Sequence, residues 1–292
     1  MKHPFLSISL VLVSLFLIIF TVEYIQIQFA RKENVQFSPT IPKKGINMMK
    51  LSIIIPAYNE EKRIEKTIRA YHKFLSEKNM PFELVIALNG CKDNTIGVVE
   101  RIRNDLTPNT IFIIDMQQAG KGLALKAGFA DALVRNNDLI GFVDADMATS
   151  PEAFYDLVIN LGNNDGIIAS RYMPGAQISP PRPAYKRYGS RIIYEPLVWL
   201  LFGLSYYDLQ CGAKLFKRAV LEKINSQLTV TQWAFDAELL YLCKKAGYTV
   251  KEIPTVWRDQ EGSKLTLHGG LRMLSAMFSV WWHHRISGIL RK

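Results

Sequence analysis

Two carboxylates stand two residues apart, Asp144 and Asp146, directly after the apolar run Leu139-Ile140-Gly141-Phe142-Val143. That run reads as a buried strand, and side chains at i and i+2 of an extended segment project to one side. At the C-terminal end of a strand in an α/β sheet, that side is where ligands bind. Asp144 and Asp146 can therefore hold a hard divalent cation, Mg2+ or Mn2+, and the cation can hold a diphosphate. A solvated turn can carry the same pair by chance, so the remainder of the chain decides.

Pro56-Ala57-Tyr58-Asn59-Glu60 closes an earlier apolar run, Leu51 to Ile55. Its position is again the C-terminal edge of a sheet, where nucleotides sit. Tyr58 can stack on a base there, and Glu60 can accept from a ribose hydroxyl. Lys121, between Gly120 and Gly122, opens a helical segment. A cation is poorly placed for the helix dipole at that end, which points to a phosphate partner. The flanking glycines let backbone approach a ligand closely. Asp93 either meets the base or caps the helix after it, and both roles are compatible.

The elements that would position these groups alternate along the chain. Strands are predicted at 51–55, stopped by Pro56, and at 82–88, 110–114, 139–143 and 166–170. Helices are predicted at 60–76, 93–102, 121–135 and 151–161, the last with Pro151 in its first turn. Strand–helix alternation implies an α/β fold with a mostly parallel sheet and right-handed crossovers. Residues 192–204 and 271–282 are apolar and aromatic, the first interrupted by Glu195 and Pro196. With their flanking cations they suit a membrane interface as amphipathic helices. Adjacent His283 and His284 point apart on a helix, so they are expected to snorkel at that interface rather than bind a metal.

Composition narrows the setting. The chain has 292 residues, 49% of them hydrophobic, and a formal net charge of +10. A basic balance suits nucleic acid, an anionic membrane or phosphorylated substrates. No Arg/Lys-rich recognition helix or aromatic RNA-binding signature is present, so nucleic acid is not expected as a partner. Three widely spaced cysteines give neither a disulfide framework nor a zinc site. From Phe5 to Val22 no residue is charged, a stretch of roughly 27 Å as a helix and close to a bilayer core. No small-residue cleavage site follows, so the segment is expected to be an uncleaved transmembrane anchor. Arg31, Lys32, Lys43, Lys44 and Lys50 follow it, against Lys2 before it, which puts the large domain in the cytosol. The expected organisation is an anchor at 1–30, a linker at 31–49, a catalytic domain at 50–265 and an interface helix at 266–292.

Taken together, these segments resemble the inverting glycosyltransferases of family 2, which have the GT-A fold. Their first strand commonly ends in P-x-Y-N-E and their fourth in D-x-D. Asn89-Gly90-Cys91-Lys92-Asp93-Asn94-Thr95 resembles the family's D-G-S-x-D-x-T loop, and Gly120-Lys121-Gly122 its next element. Asp144-Ala145-Asp146-Met147-Ala148-Thr149, Ser170-Arg171-Tyr172, Gln210-Cys211-Gly212-Ala213-Lys214-Leu215-Phe216, Trp233-Ala234-Phe235-Asp236-Ala237-Glu238-Leu239-Leu240 and Gly262-Ser263-Lys264-Leu265 follow in order. They are most similar to the subfamily of dolichyl-phosphate β-glucosyltransferases.

The resemblance implies transfer of a sugar, glucose from UDP-glucose, to a polyprenyl or dolichyl phosphate. It implies donor contacts from Pro56, Ala57, Tyr58, Glu60, Asn89, Asp93, Lys121, Asp144, Ala145, Asp146, Trp233 and Glu238. Arg171, Lys186, Arg191, Ser263 and Lys264 would hold the lipid phosphate, and Arg182 and Arg187 lie in the same basic run. Asp146, Asp236 and Arg171 would act on the reacting groups. A phosphate acceptor is already anionic and needs no strong base, so Asp236 can instead bind sugar hydroxyls. On a helix Asp236 and Glu238 lie on different faces, so only one is expected inward. The setting would be the cytoplasmic face of a membrane, endoplasmic reticulum in a eukaryote or plasma membrane in a prokaryote, among membrane lipids.

Three departures qualify the resemblance. Leu88-Asn89 stands where two acidic residues are usual, Met147 where glycine is frequent, and Ala213 where an aromatic is frequent. The alternatives are GDP-mannose or a UDP-N-acetylhexosamine as donor, a glycolipid hydroxyl as acceptor, or a non-catalytic domain that binds nucleotide or lipid. The Q-x-x-R-W signature of processive synthases is absent, which argues against a polymerase.

Overall fold

The computed structural model describes residues 48–181, 194–230, 232, 234–259 and 267–286. The anchor and linker expected at 1–49 lie almost wholly outside the described residues, as do Arg182, Lys186, Arg187, Arg191, Trp233, Ser263 and Lys264. Among the described residues, no helix is long and apolar enough to cross a membrane.

The chain builds β1 (Leu51–Ala57), α1 (Ile64–Glu77), β2 (Phe82–Asn89), α2 (Thr95–Asp105), β3 (Ile111–Met116), α3 (Lys121–Val134) and β4 (Leu139–Phe142). α4 (Pro151–Asn160), β5 (Gly166–Ser170), β6 (Gln177–Ser179), α5 (Glu195–Phe202), β7 (Lys214–Lys217) and α6 (Arg218–Ile224) follow. α7 (Phe235–Lys245), β8 (Val250–Pro254), β9 (Val256–Arg258) and α8 (Leu267–Trp281) complete it, and a π-helical turn, Trp282–Ile286, extends α8. Seven strands form one sheet in the order β3-β2-β1-β4-β7-β5-β8. All neighbours pair in parallel except at β7, which runs antiparallel to both β4 and β5.

Alternation along the central strands fills two layers. Leu51, Ile53 and Ile55 of β1 pack with Ile64, Ile68, Tyr71, Leu75 and Phe154 on one side of the sheet. Ile54 and Val85 pack with Leu125, Phe129, Val198, Phe235 and Leu239 on the other. Strands covered on both sides must be apolar throughout, which is why β1 and β2 are continuous hydrophobic runs. Each fully buried Leu or Ile contributes roughly 2 kcal/mol of burial energy.

Two local expectations are corrected. β1 runs through Pro56 to Ala57, with Pro56 in register with Ala87. Its pairing with β4 ends at Ile54 and Phe142, so Pro56 needs no N–H on that side. Pro196 does not interrupt α5 but sits in its first turn, where a missing N–H costs nothing.

A short parallel ribbon, β6 with β9, lies beside the sheet. It is tied to the segment after Asp146 by a bridge between Thr149 and Trp257. The Arg258 N–H also donates to the Ala148 carbonyl at 2.9 Å.

Candidate active site

β1, β2 and β4 are parallel neighbours, so Tyr58, Asn89 and Asp144 emerge at one edge of the sheet. β7 runs the other way, so its leading residues, Cys211 to Lys214, arrive at that same edge. The register of Phe142 with Lys214 carries through to place Gly212 against Asp144. A Cβ built on Gly212 would overlap the Asp144 carboxylate at Oδ2 and Cγ. Only glycine leaves that carboxylate its place.

Lys121, the first residue of α3, reaches the other side of the carboxylate, with Nζ 2.5 Å from Asp144 Oδ1. Burial works against the Lys121 ammonium, but Asp144, Asp236 and Asp146 outweigh it and raise its pKa. Asp146 accepts the Ala148 N–H through Oδ1 at 3.0 Å. Burial, then the neighbouring Asp144 charge, push the Asp146 pKa up. Two crowded carboxylates with hard oxygen donors and a cradle closed by Gly212 fit a divalent cation. Asp144 and Asp146 would hold it; among the described residues no third His, Cys, Asp or Glu joins them.

Other predicted residues are at this edge but already engaged. Asn89 donates from Nδ2 to the Ala57 carbonyl at 2.9 Å and accepts the Gly120 N–H through Oδ1 at 3.1 Å. Its amide therefore ties β1 to the turn before Lys121, which corrects the expectation that it serves as a donor contact. The Ala145 carbonyl accepts from Thr67 at 2.7 Å. Pro56 and Ala57 are buried in β1, and Tyr58 is half-buried just beyond it. Glu60 holds Arg63 at two points, Nε and, at 2.8 Å, Nη2. The Arg63 pKa is raised first by that hydrogen bond and also by Asp146 and Asp144, which places a further cation near the clamp. Asp93 accepts from the N–H and hydroxyl of Thr95 through Oδ1, and from the Glu61 N–H through Oδ2. It thus organises the start of α2 and pins the loop after β1.

Asp236 and Glu238 both lie in the first turn of α7 and both are buried, contrary to the expectation that only one turns inward. They part company in direction. Asp236 Oδ1 receives Lys214 Nζ at 2.5 Å. Glu238 accepts from the N–H groups of Thr229 and Val230, the Thr229 hydroxyl and His284 Nε2, the last at 2.7 Å. All its acceptor capacity faces the chain itself, so Glu238 is corrected from a donor contact to a clamp on the 229–230 segment. His284 is correspondingly buried and does not snorkel, while His283 beside it is exposed.

Arg171 is also corrected. Its guanidinium forms a two-point pair with Asp208, Nε to Oδ2 at 2.6 Å and Nη2 to Oδ1 at 2.9 Å. It is 7% exposed and lies 4.9 Å from the Trp257 ring centroid. A cation already neutralised in the core is not an open anchor for a lipid phosphate. Asp208 is placed in turn by Glu252, whose carboxylate accepts the N–H groups of Tyr207 and Asp208 at 2.8 and 2.7 Å.

Lys214, Gly212, Arg63 and His284 carry site or support roles that the sequence did not assign. Lys214 and Gly212 had one legible signal, their place in the Gln210-Cys211-Gly212-Ala213-Lys214-Leu215-Phe216 segment that resembles the family.

Over residues 52–225 the chain matches the family model described as Glycosyl transferase family 2. It is 32% identical over 266 residues to the dolichyl-phosphate beta-glucosyltransferase of Drosophila melanogaster, covering 84% of this chain and 79% of the relative. The dolichyl-phosphate beta-glucosyltransferase of Homo sapiens is 30% identical over 230 residues, covering 74% of this chain and 69% of the relative. Among solved structures, glucosyl-3-phosphoglycerate synthase of Mycobacterium tuberculosis, in complex with Mn2+, uridine diphosphate and phosphoglyceric acid, is similar with a TM-score of 0.63. That match has 16% sequence identity and covers 85% of this chain and 84% of the other.

Proposed function

Because the chain belongs to glycosyl transferase family 2 and is a glycosyltransferase of GT-A fold, we propose that it moves glucose from UDP-glucose to a polyprenyl or dolichyl phosphate. The observation that carries this is the Asp144 carboxylate held between Lys121 and the Gly212 backbone at the sheet edge. The Lys121 ammonium set at that edge suits a leaving diphosphate, whose negative charge grows as the sugar–phosphate bond breaks, and the carboxylate serves it by holding a cation. A divalent cation bound by Asp144 and Asp146 would add positive charge to the same group.

In this reaction a lipid phosphate oxygen attacks the anomeric carbon in line. The new carbon–oxygen bond forms as the bond to the diphosphate breaks, UDP leaves with the electron pair, and the configuration inverts. The nucleophile is already ionised, so no residue has to take a proton. Tyr58 and Asp93 flank the base side, Lys121 meets the diphosphate, and Asp236 binds sugar hydroxyls. Lys186, Arg191, Ser263 and Lys264 hold the acceptor phosphate, with Arg171 shaping the adjoining loop through Asp208.

A membrane setting is supported by exposed apolar side chains on the packed helices α5 and α8 and the turn that follows. Leu200 is 49%, Phe278 52% and Trp282 59% exposed, and Arg285 adds a cation. Large apolar groups beside a cation suit an interfacial position. The anchor at 1–30, with the catalytic domain on the cytoplasmic face, belongs to the same proposal.

The test is an assay of the purified full chain with radiolabelled UDP-glucose and dolichyl or undecaprenyl phosphate, with Mg2+, Mn2+ or chelator. A metal-dependent, mild-acid-labile lipid product is expected. GDP-mannose and UDP-N-acetylglucosamine run in parallel; label transferred only from one of them reassigns the donor, and no product from any donor overturns the proposal.

A further inference from the structure

Lys214 is fully buried, at 0% exposure, yet carries a charged group into the middle of the site. Its ammonium donates to Asp236 Oδ1 at 2.5 Å and to the Cys211 carbonyl at 2.6 Å. It also lies 5.3 Å from the centroid of the Phe142 ring. Lys121 Nζ lies 5.9 Å from that same centroid. One phenyl ring at the end of β4 is thus shared by two ammonium groups, each bound to a different carboxylate. Lys121 holds Asp144, and Lys214 holds Asp236. The Cys211 carbonyl that Lys214 also grips belongs to the residue next to Gly212, whose backbone lies against the Asp144 carboxylate.

A lysine buried to this extent is costly unless a paired charge and further hydrogen bonds compensate it. A methionine of similar length would fill the same space without that cost. We propose that Lys214 is a positioning residue for donor-sugar recognition: it fixes the Asp236 carboxylate toward the sugar of a nucleotide sugar and ties that group to the diphosphate clamp through Cys211 and Gly212. The inference rests on the assignment of Asp236 to the donor sugar. Asp236 comes from the first turn of α7 and Asp144 from the end of β4, elements with no direct link in sequence. β7 touches both, because it runs antiparallel and brings Cys211 to Lys214 to the reacting edge, Gly212 against Asp144 and Lys214 against Asp236. Two separate substrate-binding carboxylates are in this way set at a fixed spacing by four consecutive residues.

The test compares binding of UDP and UDP-glucose in the presence of Mn2+ by calorimetry, for the wild type and for Lys214→Met, Lys214→Arg and Asp236→Asn. Loss of Lys214 should weaken UDP-glucose by about tenfold or more relative to its effect on UDP, because only the sugar meets Asp236. Lys214→Arg, which keeps the charge, should recover part of that difference. Equal weakening of both ligands would assign Lys214 a purely structural role and overturn the inference. If K214M does not fold, the charge-neutral pair K214M/D236N takes its place. That pair should match D236N alone, and a clearly larger loss would show that Lys214 does not act through Asp236. A wild type that binds neither ligand removes the nucleotide-sugar assignment itself and this inference with it. A wild type that binds both, with no sugar-specific loss in the variants, overturns the inference alone.

Discussion

The backbone of Gly212 lies directly against the carboxylate of Asp144, closely enough that no side chain fits between them. The overlapping atoms belong to the far end of a side chain that can rotate away, so the fold can absorb a methyl group there while the clamp cannot. Gly212→Ala is expected to leave the melting temperature within a few degrees of wild type. Metal affinity should fall by roughly 10–100-fold, the usual cost of disturbing a residue that orients a ligand. Titrating Mn2+ against activity or against UDP binding checks this; an unchanged midpoint would show that Asp144 does not hold the cation.

Lys121 holds the opposite side of the same carboxylate and, in the proposed reaction, meets the leaving diphosphate. Lys121→Met should lower kcat by about 100–1,000-fold, typical for removal of one preorganised charge at a reacting centre. Its side chain is a quarter exposed, so stability should change little. Lys121→Arg should retain part of the rate. Steady-state kinetics on the three proteins, with unfolding curves alongside, separate a lost charge from a lost fold.

Much of this site was legible because parallel strands end at one edge. Asp144, Asp146, Lys121 and the Tyr58 segment come together for that reason alone, whatever the loops do. What the sequence concealed were the partners that occupy polar groups from far away. Arg171 meets Asp208 across 37 residues, and Glu238 meets His284 across 46. Neither pairing leaves a periodic trace, so Arg171 resembled an open cation and Glu238 an open acceptor. β7 escaped detection because it is four residues long and begins and ends with lysine, the reverse of a buried-strand pattern. Met147 was visible only as a departure from the glycine frequent there. In the fold it adopts a φ of 62°, the left-handed conformation that glycine takes without strain.

Arg171→Lys distinguishes the two roles considered for that residue. A lysine keeps the charge and would still attract a lipid phosphate. It cannot reproduce the two-point geometry to Asp208 or stack on Trp257. If Arg171 is a framework cation, the substitution should lower unfolding free energy by about 2–4 kcal/mol, the scale for spoiling a buried pair. Chemical denaturation measures it, and a variant as stable as wild type would return Arg171 to the list of acceptor contacts.

Glu252 gives the fold a pH dependence of defined sign. Burial raises its pKa from an ordinary 4.5 to about 7, and the N–H groups of Tyr207 and Asp208 offset that only in part. A carboxyl raised in the folded state binds more protons there than in the unfolded chain between those two values. Its contribution to stability is therefore complete below 4.5 and is lost as the pH rises toward about 7. Glu252→Gln cannot ionise, so its melting temperature should lose this part of the slope. The variant should melt lower overall at acid pH, because an amide offers one acceptor where the two backbone donors meet a carboxyl group. Melting curves from about pH 4.5 to 7.5 test the difference in slope, which is the quantity linked to proton uptake. The same slope in both proteins would mean that Glu252 titrates near its ordinary value and that another group carries the dependence.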